Sequence, residues 1–172
     1  MSTKPLAIML CGVSGSGKTT LSRFFEAEGF RRFSIDEEVF SLAGAQTESM
    51  YEKRKKASEI IAEKLSETLS AGENAVIDMS FCHKTERDRF KALIENSGGS
   101  WRLLYLKADA AVLKERLAKR TESGDPNSVP VSEKELLMFL RRFEEPVNEG
   151  ERVINSEKTF DLTKIKNILM DF

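Results

Sequence analysis

The octet Gly12-Val13-Ser14-Gly15-Ser16-Gly17-Lys18-Thr19 follows directly on the unbroken apolar run Leu6-Ala7-Ile8-Met9-Leu10-Cys11, and this junction limits the available folds more than any other stretch. A short apolar run that ends in glycine reads as a strand buried on both faces. The octet matches G-x-x-x-x-G-K-[ST] in full, between that strand and a helix expected from Lys18 to about Glu28. Glycines let the backbone curl so that successive N–H groups point inward at an anion, and the helix start adds its positive dipole end. Lys18 is placed to reach β- and γ-phosphates, and the Thr19 hydroxyl to ligate Mg²⁺. The expected nucleotide-binding set is Gly12, Val13, Ser14, Gly15, Ser16, Gly17, Lys18, Thr19 and Thr20. The competing reading, a glycine turn that merely joins strand to helix, does not require this context on both flanks.

The rest of the chain alternates strand and helix patterns. Phe30–Ile35 reads as a strand, 49–71 as a long helix, Ala75–Asp78 as a strand and Thr85–Ile94 as a helix. Trp101–Leu106 is a strand, followed by a helix that Asp109 caps. Thr121–Pro130, with Gly124, two prolines and few apolar residues, is expected to be a mobile loop. Ser132-Glu133-Lys134-Glu135 is a capping box that opens a helix through Phe143; a strand at Arg152–Asn155 and a helix at Leu162–Leu169 close the chain. This order implies an α/β fold of the P-loop NTPase type, a five-stranded parallel sheet flanked by helices with a small helical lid at about 116–132. Ligands of such folds bind beyond the carboxyl ends of the strands, where Gly12, Asp36 and Asp78 all lie.

At 172 residues, without repeats or linkers, residues 1–172 are expected to form a single domain. Lysine and arginine number 27 against 28 acids, so no basic surplus marks a nucleic-acid-coating protein. No apolar run approaches the roughly 18 residues of a membrane span, and Leu6–Cys11 is too short for a signal peptide, so a cytoplasmic location is expected. Cys11 and Cys82 make no disulfide scaffold and have no metal-ligand spacing with His83, the one histidine.

Two acids and two arginines carry the remaining chemistry. Asp36 follows the second strand, where a carboxylate can take the proton of an acceptor hydroxyl; the plainer alternative is a solvated cap for the segment that follows, Asp36-Glu37-Glu38. Asp78 ends the third strand, the usual place of a magnesium-side carboxylate, although strand ends also carry Asp for turn chemistry. Arg116 and Arg120 share a helix face just before the 121–130 loop, where a closing lid would bring guanidinium groups to a transferring phosphoryl. For Arg116 the alternative is an exposed pair with Glu115. The basic run Lys53-Arg54-Lys55-Lys56 reads as a solvated face, and Trp101 as core rather than a base-stacking platform.

Taken in order, these elements resemble P-loop kinases of the polynucleotide-kinase and zeta-toxin-like branch. The resemblance covers roughly residues 6 to 150. It rests on the octet, Phe33-Ser34-Ile35-Asp36, Val76-Ile77-Asp78 with Arg87 nine residues on, and Leu104-Tyr105-Leu106 leading into Arg116 and Arg120. It continues through Val129-Pro130-Val131-Ser132 and the run Arg142 to Gly150. The resemblance implies that Asp36 is the base, that Lys18 and Arg120 stabilise phosphate, and that Thr19 holds magnesium. Asp78 would position metal or acceptor. Polynucleotide kinases carry an arginine three residues after the catalytic aspartate, and here that position is Val39. The expected activity is ATP- and Mg²⁺-dependent phosphorylation of a hydroxyl on a small-molecule or nucleoside-like acceptor. Polynucleotide 5′-hydroxyl kinase is the alternative within the class, disfavoured along with other nucleic-acid partners. A nucleotide-binding regulator or weak NTPase is the alternative outside it.

Overall fold

The computed structural model describes residues 4–42, 49–123, 131–158 and 160–170. Five strands, β1 (Leu6–Cys11), β2 (Arg31–Ser34), β3 (Ala75–Asp78), β4 (Ser100–Lys107) and β5 (Glu151–Asn155), form one sheet in the order β2-β3-β1-β4-β5. Every pairing is parallel. The helices are α1 (Lys18–Ala27), α2 (Ile35–Ser41), α3 (Met50–Ser70), α4 (Lys84–Asn96), α5 (Ala110–Ser123), α6 (Glu133–Arg142) and α7 (Leu162–Met170).

Alternation along the inner strands builds two cores. Ala7, Met9 and Cys11 of β1 join Ala75, Ile77, Leu103 and Tyr105 on the face covered by α3 and α4. Ile8 and Leu10 join Val76, Leu104 and Leu106 on the other face, under Leu21 and Phe25 of α1 and Ile165 and Leu169 of α7. Most of these side chains have no solvent exposure, and each large one contributes roughly 2 kcal/mol of apolar burial. A third cluster of Val13, Leu113, Leu117 and Leu136 ties the loop after β1 to α5 and α6.

Two elements depart from the sequence reading. The second strand stops at Ser34, and Ile35 opens α2, which the strand and loop patterns did not predict. Ile35, Val39 and Leu42 pack inward at helical spacing, while Asp36, Glu37 and Glu38 occupy the first turn, where a helix dipole favours acids. The helix after β4 runs through Ser123 rather than ending before Thr121. The remainder of the expected mobile loop, 124–130, lies outside the described residues.

A buried ion pair locks the segment before β5 against α4. The Arg87 side chain is wholly buried and donates from Nε and Nη2 to the Glu149 carboxylate, both at 2.7 Å. Its Nη1 donates to the carbonyls of Phe81 and Glu144, both at 2.8 Å. Lys91 donates to the Glu149 carbonyl at 2.8 Å and lies over the Trp101 ring. Trp101 is half-buried against the core. Arg87 and the 142–150 run, both part of the resemblance, are thus one structural unit.

Hydrogen bonds from Arg87 hold the Glu149 carboxyl below the ordinary value of 4.5, against the opposing effect of burial. A lowered carboxylate pKa contributes stability that is present above the unfolded value and lost as pH falls through the folded one. Chemical denaturation should therefore show stability dropping as pH falls below about 4.5. Glu149→Gln, which leaves a buried guanidinium without its counter-charge, should cost about 3 kcal/mol at neutral pH and flatten that dependence. A cost near zero for Glu149→Gln would remove the pair from the stability of the fold.

Candidate active site

Parallel pairing brings the functional positions to one edge of the sheet. Asp78 is level with Leu10 on one side and Ser34 on the other, so the turn after β1, the end of β3 and the start of α2 are neighbours. The loop from Gly12 to Gly17 sits on this edge, anchored by the Gly12 amide donating to the Ser80 carbonyl at 3.1 Å.

Two glycines in this loop have physical reasons to be glycine. A Cβ on Gly12 would stand 2.7 Å from both the Leu106 carbonyl oxygen and Ser16 Oγ. Gly17 caps α1 at φ 96°, a left-handed conformation, and a Cβ there would meet the Phe160 ring at 2.8 Å. Ser16 is fully buried, and its Oγ has no hydrogen-bond partner. An unsatisfied hydroxyl inside a cradle of amides at a helix start suits a nucleotide's phosphates. Val13 buries its side chain in the third cluster and offers the cradle only its backbone. Ser14 and Thr19 are half-buried and Thr20 is exposed.

Lys18 folds back over the loop and donates to the Val13 carbonyl at 2.9 Å. Burial lowers its pKa, while the charges of Asp78 and then Asp36 act in the opposite direction. Asp78 is 5% exposed, and its Oδ2 accepts from Ser22 Oγ at 3.1 Å. Arg32 backs this contact. Its Nε donates to Ser22 Oγ at 2.8 Å, its Nη2 lies 3.6 Å from Asp78 Oδ2, and its Nη1 contacts both Glu37 carboxylate oxygens. Arg32 is a site-framing residue that the sequence reading missed; a cation in a strand next to an acid-ended strand is the signal that finds it.

Asp36 stands exposed in the first turn of α2, paired with Arg54 of α3 at 2.9 Å. The basic run on α3 is therefore only partly a solvated face, because Arg54 reaches the candidate base. Arg116 does not pair with Glu115, which is taken by Lys119. Its guanidinium donates to the Gly15 carbonyl at 3.3 Å and to the Ser156 and Glu157 carbonyls, joining the cradle to the segment after β5. The Arg120 backbone lies one turn further along α5, and its side chain is outside the described residues. Cys11 is buried, which pushes its thiol up to about 12, and exposed His83 bonds Glu144 at the start of α4. Among the described residues no cluster of His, Cys, Asp and Glu forms a metal cage, and no helix is long and apolar enough to cross a membrane. Two open clefts of about 700 Å³ lie away from the cradle, one beside Trp101 and one beside β2.

The fold is shared with proteins described as kinases. A candidate kinase from Chloroflexus aurantiacus superposes with a TM-score of 0.79 at 18% identity, covering 99% of this chain and 97% of that one. A gluconokinase from Sinorhizobium meliloti gives 0.68 at 21% identity, covering 94% and 87%. The APS kinase of Mycobacterium tuberculosis, solved with AMPPNP and APS, gives 0.70 at 12% identity, covering 96% and 98%. No curated protein matches the sequence. The profile of the AAA domain matches residues 8–146, which span both the cradle and the two acids, and the chain belongs to that P-loop family.

Proposed function

We propose that the chain, acting as a single domain, is an ATP- and Mg²⁺-dependent kinase that phosphorylates a hydroxyl group of a small molecule. The observation that carries this reading is the shared edge of the sheet, where a phosphate cradle, a buried carboxylate and an exposed carboxylate stand together. The likeness to an APS kinase solved with a nucleotide analogue supports ATP as the donor.

In this reading the amides of Gly12 to Thr20 hold the β- and γ-phosphates, with Lys18 over them. The Thr19 hydroxyl and Asp78 would hold Mg²⁺, which supplies charge neutralisation at the phosphate oxygens when bound. Ser22 and Arg32 fix Asp78 through Oδ2. Asp36 takes the acceptor hydroxyl's proton as that oxygen bonds to the γ-phosphorus; the bond to the β–γ bridging oxygen breaks, and its electrons leave on ADP. Lys18 stabilises the charge that develops there. Arg116 braces the cradle through Gly15, and Arg120 follows the transferring phosphoryl from the α5–α6 lid. A polynucleotide acceptor is disfavoured because Val39 packs against the core under α2 and presents no cation to a strand.

ATP with Mg²⁺ should raise the melting temperature, and Lys18→Ala should weaken that shift and remove turnover. Equal shifts for parent and variant would count against the cradle. Asp36→Asn should keep ATP binding and lose transfer by roughly 10²–10⁴-fold. Transfer at the parental rate would remove Asp36 from the mechanism, and ADP release that needs no acceptor would favour a weak NTPase. Arg120→Ala should lower turnover far more than ATP affinity. Single-stranded oligonucleotide 5′ ends should not be labelled; efficient labelling that weakens steeply with salt would establish the polymer reading.

A further inference from the structure

Two large aromatic side chains stand in the two helices that carry the candidate base and its ion-pair partner, and neither is buried in a core cluster. Phe40 is 77% exposed and Tyr51 is 78% exposed. Phe40 is four residues after Asp36 on α2, and Tyr51 is three residues before Arg54 on α3. At these spacings each ring shares a helix face with one member of the Asp36–Arg54 pair, about one turn away. The 2.9 Å contact between Asp36 and Arg54 shows that the two faces are adjacent.

The inward positions of α2 are filled by Ile35, Val39 and Leu42, so Phe40 is not a displaced core residue. Isolated exposed apolar side chains need no explanation, but two large rings, each one helical turn from a member of the pair at a candidate base, do. Aromatic side chains in water beside polar groups are suited to stacking on a flat ring, and they recognise it without reading its edge.

Building on the kinase reading above, we infer that Phe40 and Tyr51 are specificity-determining residues that stack on a flat heterocyclic ring, and that the acceptor is a nucleoside-type hydroxyl compound. The rings hold the base, and the sugar hydroxyl then falls to Asp36. Arg54 is displaced from Asp36 or shares it, and its guanidinium is available to the acceptor's polar groups.

The test is equilibrium binding of uridine and cytidine, beside D-ribose and D-gluconate, by calorimetry and saturation-transfer NMR. It is run with AMPPNP and Mg²⁺ present and repeated without them. Uridine or cytidine should bind at least tenfold more tightly than ribose or gluconate, with saturation reaching the base protons. Phe40→Ala and Tyr51→Ala should each weaken the nucleoside by about tenfold, the scale of one lost stack, and Tyr51→Phe should restore binding. Sugars that bind as well as nucleosides, no nucleoside binding at all, or unchanged affinity in the double alanine variant would each overturn the inference. Failure of the parent protein to bind AMPPNP would strike at the phosphate cradle instead, and the nucleotide-free titrations would still decide the role of the two rings.

Discussion

The alignment of β1 with its two parallel neighbours is the constraint on which the rest of the site depends. Both edges of β1 are paired, and Ala7 through Cys11 are completely buried, alternating between the two cores. A one-residue slip would send every one of these side chains to the wrong face, so the register is strongly specified. Parallel strands also present their carboxyl ends on the same side. The turn after β1, the acid at the end of β3 and the first turn of α2 are therefore neighbours, and the Gly12–Ser80 hydrogen bond and the Arg32 side chain secure them there. Val13, buried with Leu113, Leu117 and Leu136, then fixes how the loop leaves the strand.

Two buried arginines hold the flanks of that edge. A guanidinium taken out of water costs several kcal/mol unless it is paired, so each is informative about what it holds. Arg32 joins Ser22 of α1, Asp78 of β3 and Glu37 of α2. Arg87 joins the turn after β3 to the segment that leads into β5. The first sets the position of Asp78 relative to the helix that carries Asp36. The second fixes the chain on which Phe143 stacks against Tyr105 beneath the same edge.

The architecture was legible because its signals are local and repeated. Buried runs, glycine stops and the Ser132 capping box mark the strands and most helices, and that box forms in full. The octet announces its own geometry, since Gly12 and Gly17 stand where a Cβ would collide. What escaped depends on side chains that meet across the fold. Nothing near Arg54 in sequence points to Asp36, and nothing near Arg87 points to Glu149, sixty-two residues away. The seven-residue α2 was hidden because its three acids read as a solvated cap, although Ile35, Val39 and Leu42 keep helical spacing. Arg116 was recognised as a cation near the cradle, but its partners are backbone carbonyls, which carry no sequence signal.

The two acids differ in how firmly they are held, and this difference has a functional consequence. Asp78 is buried, accepts a hydrogen bond from Ser22 and is ion-paired at 3.6 Å with the enclosed Arg32, so moving it would expose several polar groups to poor solvation. Asp36 and Arg54 are both largely in water, where an ion pair contributes little and opens readily. On the kinase reading proposed above, the phosphate side of the site is built as part of the core, while the acceptor side is assembled on the surface of two helices. On that reading, changes at Phe40, Tyr51 or Arg54 would alter what is bound without disturbing β1 or its loop. A fold arranged in this way can keep one means of handling phosphate and change its acceptor by substituting a few exposed residues.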